Sequence, residues 1–189
     1  MTLVITRHDR TPRWLQLGVS TRITSFEWLE ILYLGRLIDY LGCHFPRLRH
    51  ASKESCDLSE LKTLTLSPHL ESLLIRDRYS ARMDLNSFSR LKFLGIHVDL
   101  CDETKPPEGG HSLEHLQIFF SDNRGDYRSV MDLLKRLPRV PLVTIDLSSC
   151  LNGQWRMQII QEFQRLKFDS IGMKMRPSRE SDSHLVIER

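Results

Sequence analysis

Long hydrophobic runs are missing from this chain. Nowhere does it reach the ~18 consecutive apolar residues that a bilayer-spanning helix requires, so no membrane partner is expected. The stretch from Met1 to Arg13 carries Arg7, Asp9, Arg10 and Arg13 after a short apolar run, and lacks the apolar centre of a secretory signal. Cysteine is sparse. Cys43, Cys56, Cys101 and Cys150 form no C-x-x-C pair, which argues against a zinc ribbon. An excess of one charge is also absent. With 27 basic and 24 acidic residues the net charge is +3, too even to draw nucleic acid by charge alone. Common catalytic signatures are lacking too: there is no G-x-x-x-x-G-K-S/T, G-x-S-x-G or H-E-x-x-H. Asp57, Glu60, Asp77, Asp84 and Asp146 are scattered, and no carboxylate pair stands out for acid–base work. The expectation is a non-enzyme without a cofactor, placed in the cytoplasm or nucleus with reduced thiols.

What the chain has is a period. Leu48, Leu70, Leu91 and Leu113 each open an apolar segment, at steps of 22, 21 and 22 residues. That is the spacing of a leucine-rich repeat, whose consensus is L-x-x-L-x-L-x-x-N/C-x-L. Leu142, Ile145, Leu147 and Cys150 give the fullest copy. Leu48, Ala51, Lys53, Cys56, Leu58 and Leu61 give another, with Lys53 at an apolar site. Leu70, Leu73 and Ile75 follow, with Arg78 at the Asn/Cys site, then Leu91, Leu94 and Ile96, then Leu113, Leu116 and Ile118. Weaker copies extend the row at Leu29, Leu32 and Leu34 and at Phe168, Ile171 and Met173. The implied fold is α/β: a leucine-rich-repeat solenoid, with a curved parallel sheet and helical or irregular returns. Residues 1–28 would form an N-terminal cap or edge, 29–176 the repeat array, and 177–189 a polar tail or final edge strand.

Local patterns fill in the returns. The segments 70–75, 91–96, 113–119 and 142–147 are short, alternate and have polar bounds, as strands do. Residues 25–41 read equally as helix or strand, since Phe26, Leu29, Leu32, Tyr33, Leu37 and Leu41 would also line one helical face. The Pro106-Pro107 and Gly109-Gly110 pairs make 99–112 a loop, and 121–129 is a second one. Within it Arg124-Gly125-Asp126 is a polar turn with Asp126 as a helix N-cap. A helix follows through Tyr127, Val130, Met131, Leu134 and Leu137, ended by Pro138. Another is expected over 154–166 with Trp155, Ile159, Phe163 and Leu166 on one face. Met83, Leu85 and Phe88 should point inward from a return segment. Cys56 and Cys150, at Asn/Cys sites several coils apart, should be buried thiols out of disulfide range.

Strand side chains alternate, so residues between the core positions should form exposed rows on the concave face. The first collects His50, Ser72, Phe93, His115 and Thr144. The second collects Tyr33, Ser52, Leu74, Gly95, Gln117 and Asp146, and the third Glu54, Arg76, His97, Phe119 and Ser148. Leu74, Arg76, Phe93, His97, His115, Gln117 and Phe119 fall close together in this map. A patch of aromatic, Arg and His side chains has the make-up of a protein-binding hot spot. On this map Phe119→Ala should scarcely disturb folding. His97, His115, Asp99, Cys101 and His111 lack the tight spacing of metal ligands and straddle the Pro/Gly loop, so no metal is expected.

The run Leu142 to Cys150 resembles the cysteine-containing leucine-rich repeats of F-box proteins, fungal ones in particular. His44-Phe45-Pro46-Arg47-Leu48-Arg49-His50 is similar to repeat openings in that family, as Cys150-Leu151-Asn152-Gly153-Gln154-Trp155-Arg156 is to its strand-to-helix turns. The likeness spans residues 29–175. It implies repeats that hold a substrate protein, in a family whose F-box helices dock on a ubiquitin-ligase adaptor. No F-box is recognisable ahead of residue 29. The expected partner is therefore another protein bound on the repeat face, with a cullin–adaptor complex as the alternative.

Overall fold

The computed structural model describes residues 2–5, 27, 29–34, 44–53, 64–65, 67–76, 82–108, 110–121, 127–137, 139–177 and 183–189. Its chief element is a nine-stranded sheet. Strands β1 (Thr2–Ile5), β2 (Ile31–Leu34), β3 (His50–Lys53) and β4 (Ser72–Ile75) run parallel, side by side in chain order. Outside this sheet, β5 (Met83–Asp84) pairs with β7 (Thr104–Lys105) in a small ribbon. The main sheet continues in parallel through β6 (Phe93–His97), β8 (His115–Ser121) and β9 (Leu142–Ser149). Two antiparallel strands close it: β11 (His184–Glu188) lies against β9, and β10 (Lys174–Pro177) forms the edge. Helices α1 (Tyr127–Arg136) and α2 (Gly153–Arg165) precede and follow β9.

Register explains the core. Leu32, Ala51, Leu73, Leu94, Leu116 and Val143 are successive cross-strand partners, all buried. Ile75, Ile96, Ile118 and Ile145 make a second buried row two residues on. Each side chain therefore stacks on its counterpart one strand away, and a one-residue slip would turn the whole set to the other face. Leu48, Leu70, Leu91 and Leu113, just before their strands, are buried as well.

The return side supplies the other wall. Met83, Leu85 and Phe88 are buried as the sequence predicts. Helix α1 turns Val130, Leu133 and Leu134 inward and follows the predicted span closely. Its last turn is tied down by Arg136, whose guanidinium donates to the Thr104 and Cys101 carbonyls at 2.9 and 2.8 Å. Helix α2 starts at Asn152, whose side chain accepts from the Gln154 N–H at 2.9 Å. It is held chiefly by Phe163, packed edge-on against Phe120 and parallel to Phe168.

Several expectations need correction. Of the two readings left open for 25–41, residues 31–34 take the strand. In the copy expected at Leu142, Ile145 and Leu147, Val143 opposes Leu116 and Ile145 opposes Ile118. The repeat frame there is Val140, Val143 and Ile145, two residues earlier, and Leu142 is only half-buried. Both frames satisfy the apolar alternation, so spacing alone could not choose between them. Phe168–Ile171 is a 3-10 turn leading into β10, which pairs antiparallel with β11 instead of lying in parallel beside β9. His184–Glu188 is an interior strand, since β10 takes the edge. The 99–112 loop contains β7. Trp155 is exposed at 40% because α2 rests on the core through its later turns. Cys150 is buried as expected, and its thiol donates to the Phe120 carbonyl at 3.6 Å. Cys43, Cys56, Glu54 and Asp126 lie outside the described residues.

Leu94 and Leu116 are fully buried and stack on each other. Leu94→Ala or Leu116→Ala should each remove about 2–5 kcal/mol of unfolding free energy by opening a cavity, read from urea melts. A silent substitution at either position would refute the register described above.

Candidate functional site

Opposite the core row lies the second face of the sheet, on which most described side chains are half-buried or exposed. Its side chains fall in three rows set by the register. The first holds His50, Ser72, Phe93, His115, Leu142 and Glu188. The second holds Ser52, Leu74, Gly95, Gln117, Thr144 and Val186. The third runs through His97, Phe119, Asp146 and His184, with Arg76 just beyond the end of β4. The two-residue shift of β9 thus puts Leu142, Thr144 and Asp146 where Thr144, Asp146 and Ser148 are expected.

All seven predicted contact residues lie on this face, on β4, β6 and β8 or, for Arg76, immediately after β4. Gly95 is the low point of the patch. A Cβ there would come within 2.2 Å of Leu74 Cδ1 and 3.1 Å of the Phe119 ring, so these two side chains close over the glycine. The Arg76 guanidinium lies over the Phe119 ring, 5.2 Å from its centroid. Phe93 and His115 meet edge-on at 5.1 Å. Leu74, Phe93, His115 and Gln117 are half-buried, and Arg76 is exposed.

His97 and Phe119 depart from the expectation of exposure: they are 2% and 6% accessible. Both sit where strands end, and polar side chains there turn back onto the chain. His97 Nδ1 accepts from the Asp99 N–H at 3.3 Å, and its Nε2 meets Ser121 Oγ at 2.7 Å. One strand beyond Phe119, Asp146 repeats the device by accepting from the Ser148 N–H at 2.9 Å. These closed-off groups and the overlying Arg76 leave little of the Phe119 ring in water. Alternation in the sequence gives the face of a residue but not this local covering.

His97, His115, Gln117 and Asp146 all have hydrogen-bond partners within the chain. Asp146 also accepts from Gln117 Nε2 at 2.9 Å, and His184 Nε2 lies 3.5 Å from it. Burial pushes the Asp146 carboxyl up, but hydrogen bonds from Ser148, the neighbouring His184 and the Gln117 amide together hold it below its usual value. His115 Nε2 bonds Thr144 Oγ1 at 2.9 Å, and burial lowers its pKa below 6.5. On the return side, burial drives the Cys101 thiol far up, leaving it an inert protonated group. Among the described residues, no three His, Cys, Asp or Glu side chains are grouped to hold a metal ion. The described helices include none long and apolar enough to cross a membrane.

The patch combines aromatic and aliphatic surface with polar groups such as Gln117, His115 and Asp146 that have partners within the chain. Sequence reasoning missed the extension of the face onto β11, because an antiparallel return has no place in a repeat frame. No protein-family model, curated protein or solved structure matches this chain.

Two outcomes follow. Phe119→Ala should cost about 3 kcal/mol rather than being silent, because the ring is buried. The lowered imidazole value of His115 means that the unfolded chain takes up a proton before the folded one does. Its contribution to stability is complete above the ordinary value of 6.5 and is lost as pH falls through it toward the folded value. Denaturation at about pH 7.5 and about pH 5.5 should therefore show a smaller stability loss in His115→Gln than in the parent chain.

Proposed function

We propose that the chain is a leucine-rich-repeat solenoid acting as a non-catalytic interaction module, and that its open sheet face binds a partner protein. The observation that carries this reading is the patch joining Leu74, Gly95, Phe119, Arg76, Phe93 and His115 across three neighbouring strands. Stacked Leu and Ile rows at repeat spacing support the architectural part. Aromatic and Arg anchors set among satisfied polar groups are what protein interfaces bury at their centres. Such a patch stands on paired strands, so the partner meets a preformed surface and little ordering cost is added on binding.

The test is an affinity capture from cell lysate with the intact chain and with a Leu74→Ala/Phe93→Ala variant, compared by mass spectrometry. Both side chains are half-buried on the open face, so the variant should melt near the parent temperature. Proteins retained by the parent and lost by the variant are the expected result. Cullin and its adaptor among them would favour a substrate receptor of the F-box type. Identical captures by both chains would sink the open-face proposal.

A further inference from the structure

We infer that Arg76, held over Phe119, anchors a carboxylate of an acidic protein segment whose neighbouring apolar side chain seats on Leu74 and Phe93. The inference rests on the proposed role of this face in binding a protein, and names the chemistry of what it binds. Arg76 is exposed and, among the described residues, has neither a hydrogen bond nor an ion pair. Elsewhere, arginines find acceptors within the chain: Arg49 on Glu71, Arg82 on Glu103, Arg165 on Glu162, Arg176 on Glu188. Others donate to carbonyls, as Arg136 does to Thr104 and Cys101. Arg47 and Arg139 also lack such acceptors, but neither is stacked on a ring.

Stacking changes what a guanidinium can do. A guanidinium over a ring face keeps N–H groups for other acceptors, and the contact limits part of the rotamer freedom that binding would otherwise consume. A carboxylate is the natural acceptor for such a planar fork. The described open face does not offer one. Asp146 is buried and committed to Gln117 and Ser148, and Glu188 faces Arg176. Among the described residues no carboxylate is left for this fork, and one from another molecule would fill it. A single guanidinium beside Leu74 and Phe93 matches a singly charged carboxylate flanked by apolar surface. Phosphate recognition gathers several cations, and here Arg76 stands alone over the ring.

The experiment is to pan a phage-displayed library of random peptides against the immobilised full chain. Retained peptides are then measured against Arg76→Gln, Arg76→Lys and the Leu74→Ala/Phe93→Ala variant. The expected result is enrichment of Asp or Glu next to an apolar residue. Affinity should fall about tenfold to a hundredfold in Arg76→Gln, the loss of a charge-assisted hydrogen bond, with partial retention in Arg76→Lys. Peptides without acidic enrichment, or acidic ones that bind Arg76→Gln undiminished, would overturn the carboxylate anchor. If those peptides still fail on the Leu74/Phe93 variant, the open-face reading survives that loss. If binding is indifferent to every variant, or no peptide is retained, both readings fall together.

Discussion

Every level of this structure depends on the stacking of one buried side chain on its counterpart in the next strand. Leu73, Leu94 and Leu116 belong to a column that runs across the sheet, and Ile75, Ile96 and Ile118 to a second. These columns fix the register, and the register fixes which side chains stand together on the far face. Leu74 and Phe119 close over Gly95 only because Leu73 and Ile75 are held on the side of the core. The candidate surface is thus a by-product of the same alignment that stabilises the fold, and a slip in one strand would dismantle both.

Helices and ribbons on the other side complete the arrangement without dictating it. The Arg136 guanidinium draws the end of α1 onto the turn that carries β7, and Phe163 pins α2 to Phe120 and Phe168. Each is a single side chain reaching across a return segment. That helps explain why the spacing between strands can lengthen from one copy to the next without breaking the sheet: the return segment is tied at points, while the strand is tied along its length.

Much of this was legible in the residues. The period placed β4, β6, β8 and β9, and alternation put all seven contact candidates on one face. Where the reading failed, a local interaction outweighed the pattern. At β9, Val143 and Ile145 fit the buried columns as well as Ile145 and Leu147 do, and only cross-strand pairing distinguishes them. His97 and Phe119 are hidden by hydrogen bonds at the strand ends and by a stacked arginine, neither of which has a period. The closing pair β11 and β10 breaks the parallel rule, so no repeat template could contain it.

One further feature lies just ahead of the strands. Glu30, Arg49, Glu71, Lys92 and Glu114 are joined in sequence by backbone hydrogen bonds, each N–H donating to the carbonyl of the residue before it in this series. Their charges alternate from strand to strand. Arg49 donates to the Glu71 carboxylate at 2.8 Å, and with Lys92 nearby holds that carboxyl below its usual range. This alternation has a parity. Excising one strand with its return segment, or duplicating one, would set two like charges shoulder to shoulder, such as Arg49 against Lys92. Removing or adding two would restore the order. Along this border, a change of length by two strand-and-return segments keeps opposite charges adjacent, a parity written in the electrostatics of the edge rather than in the core.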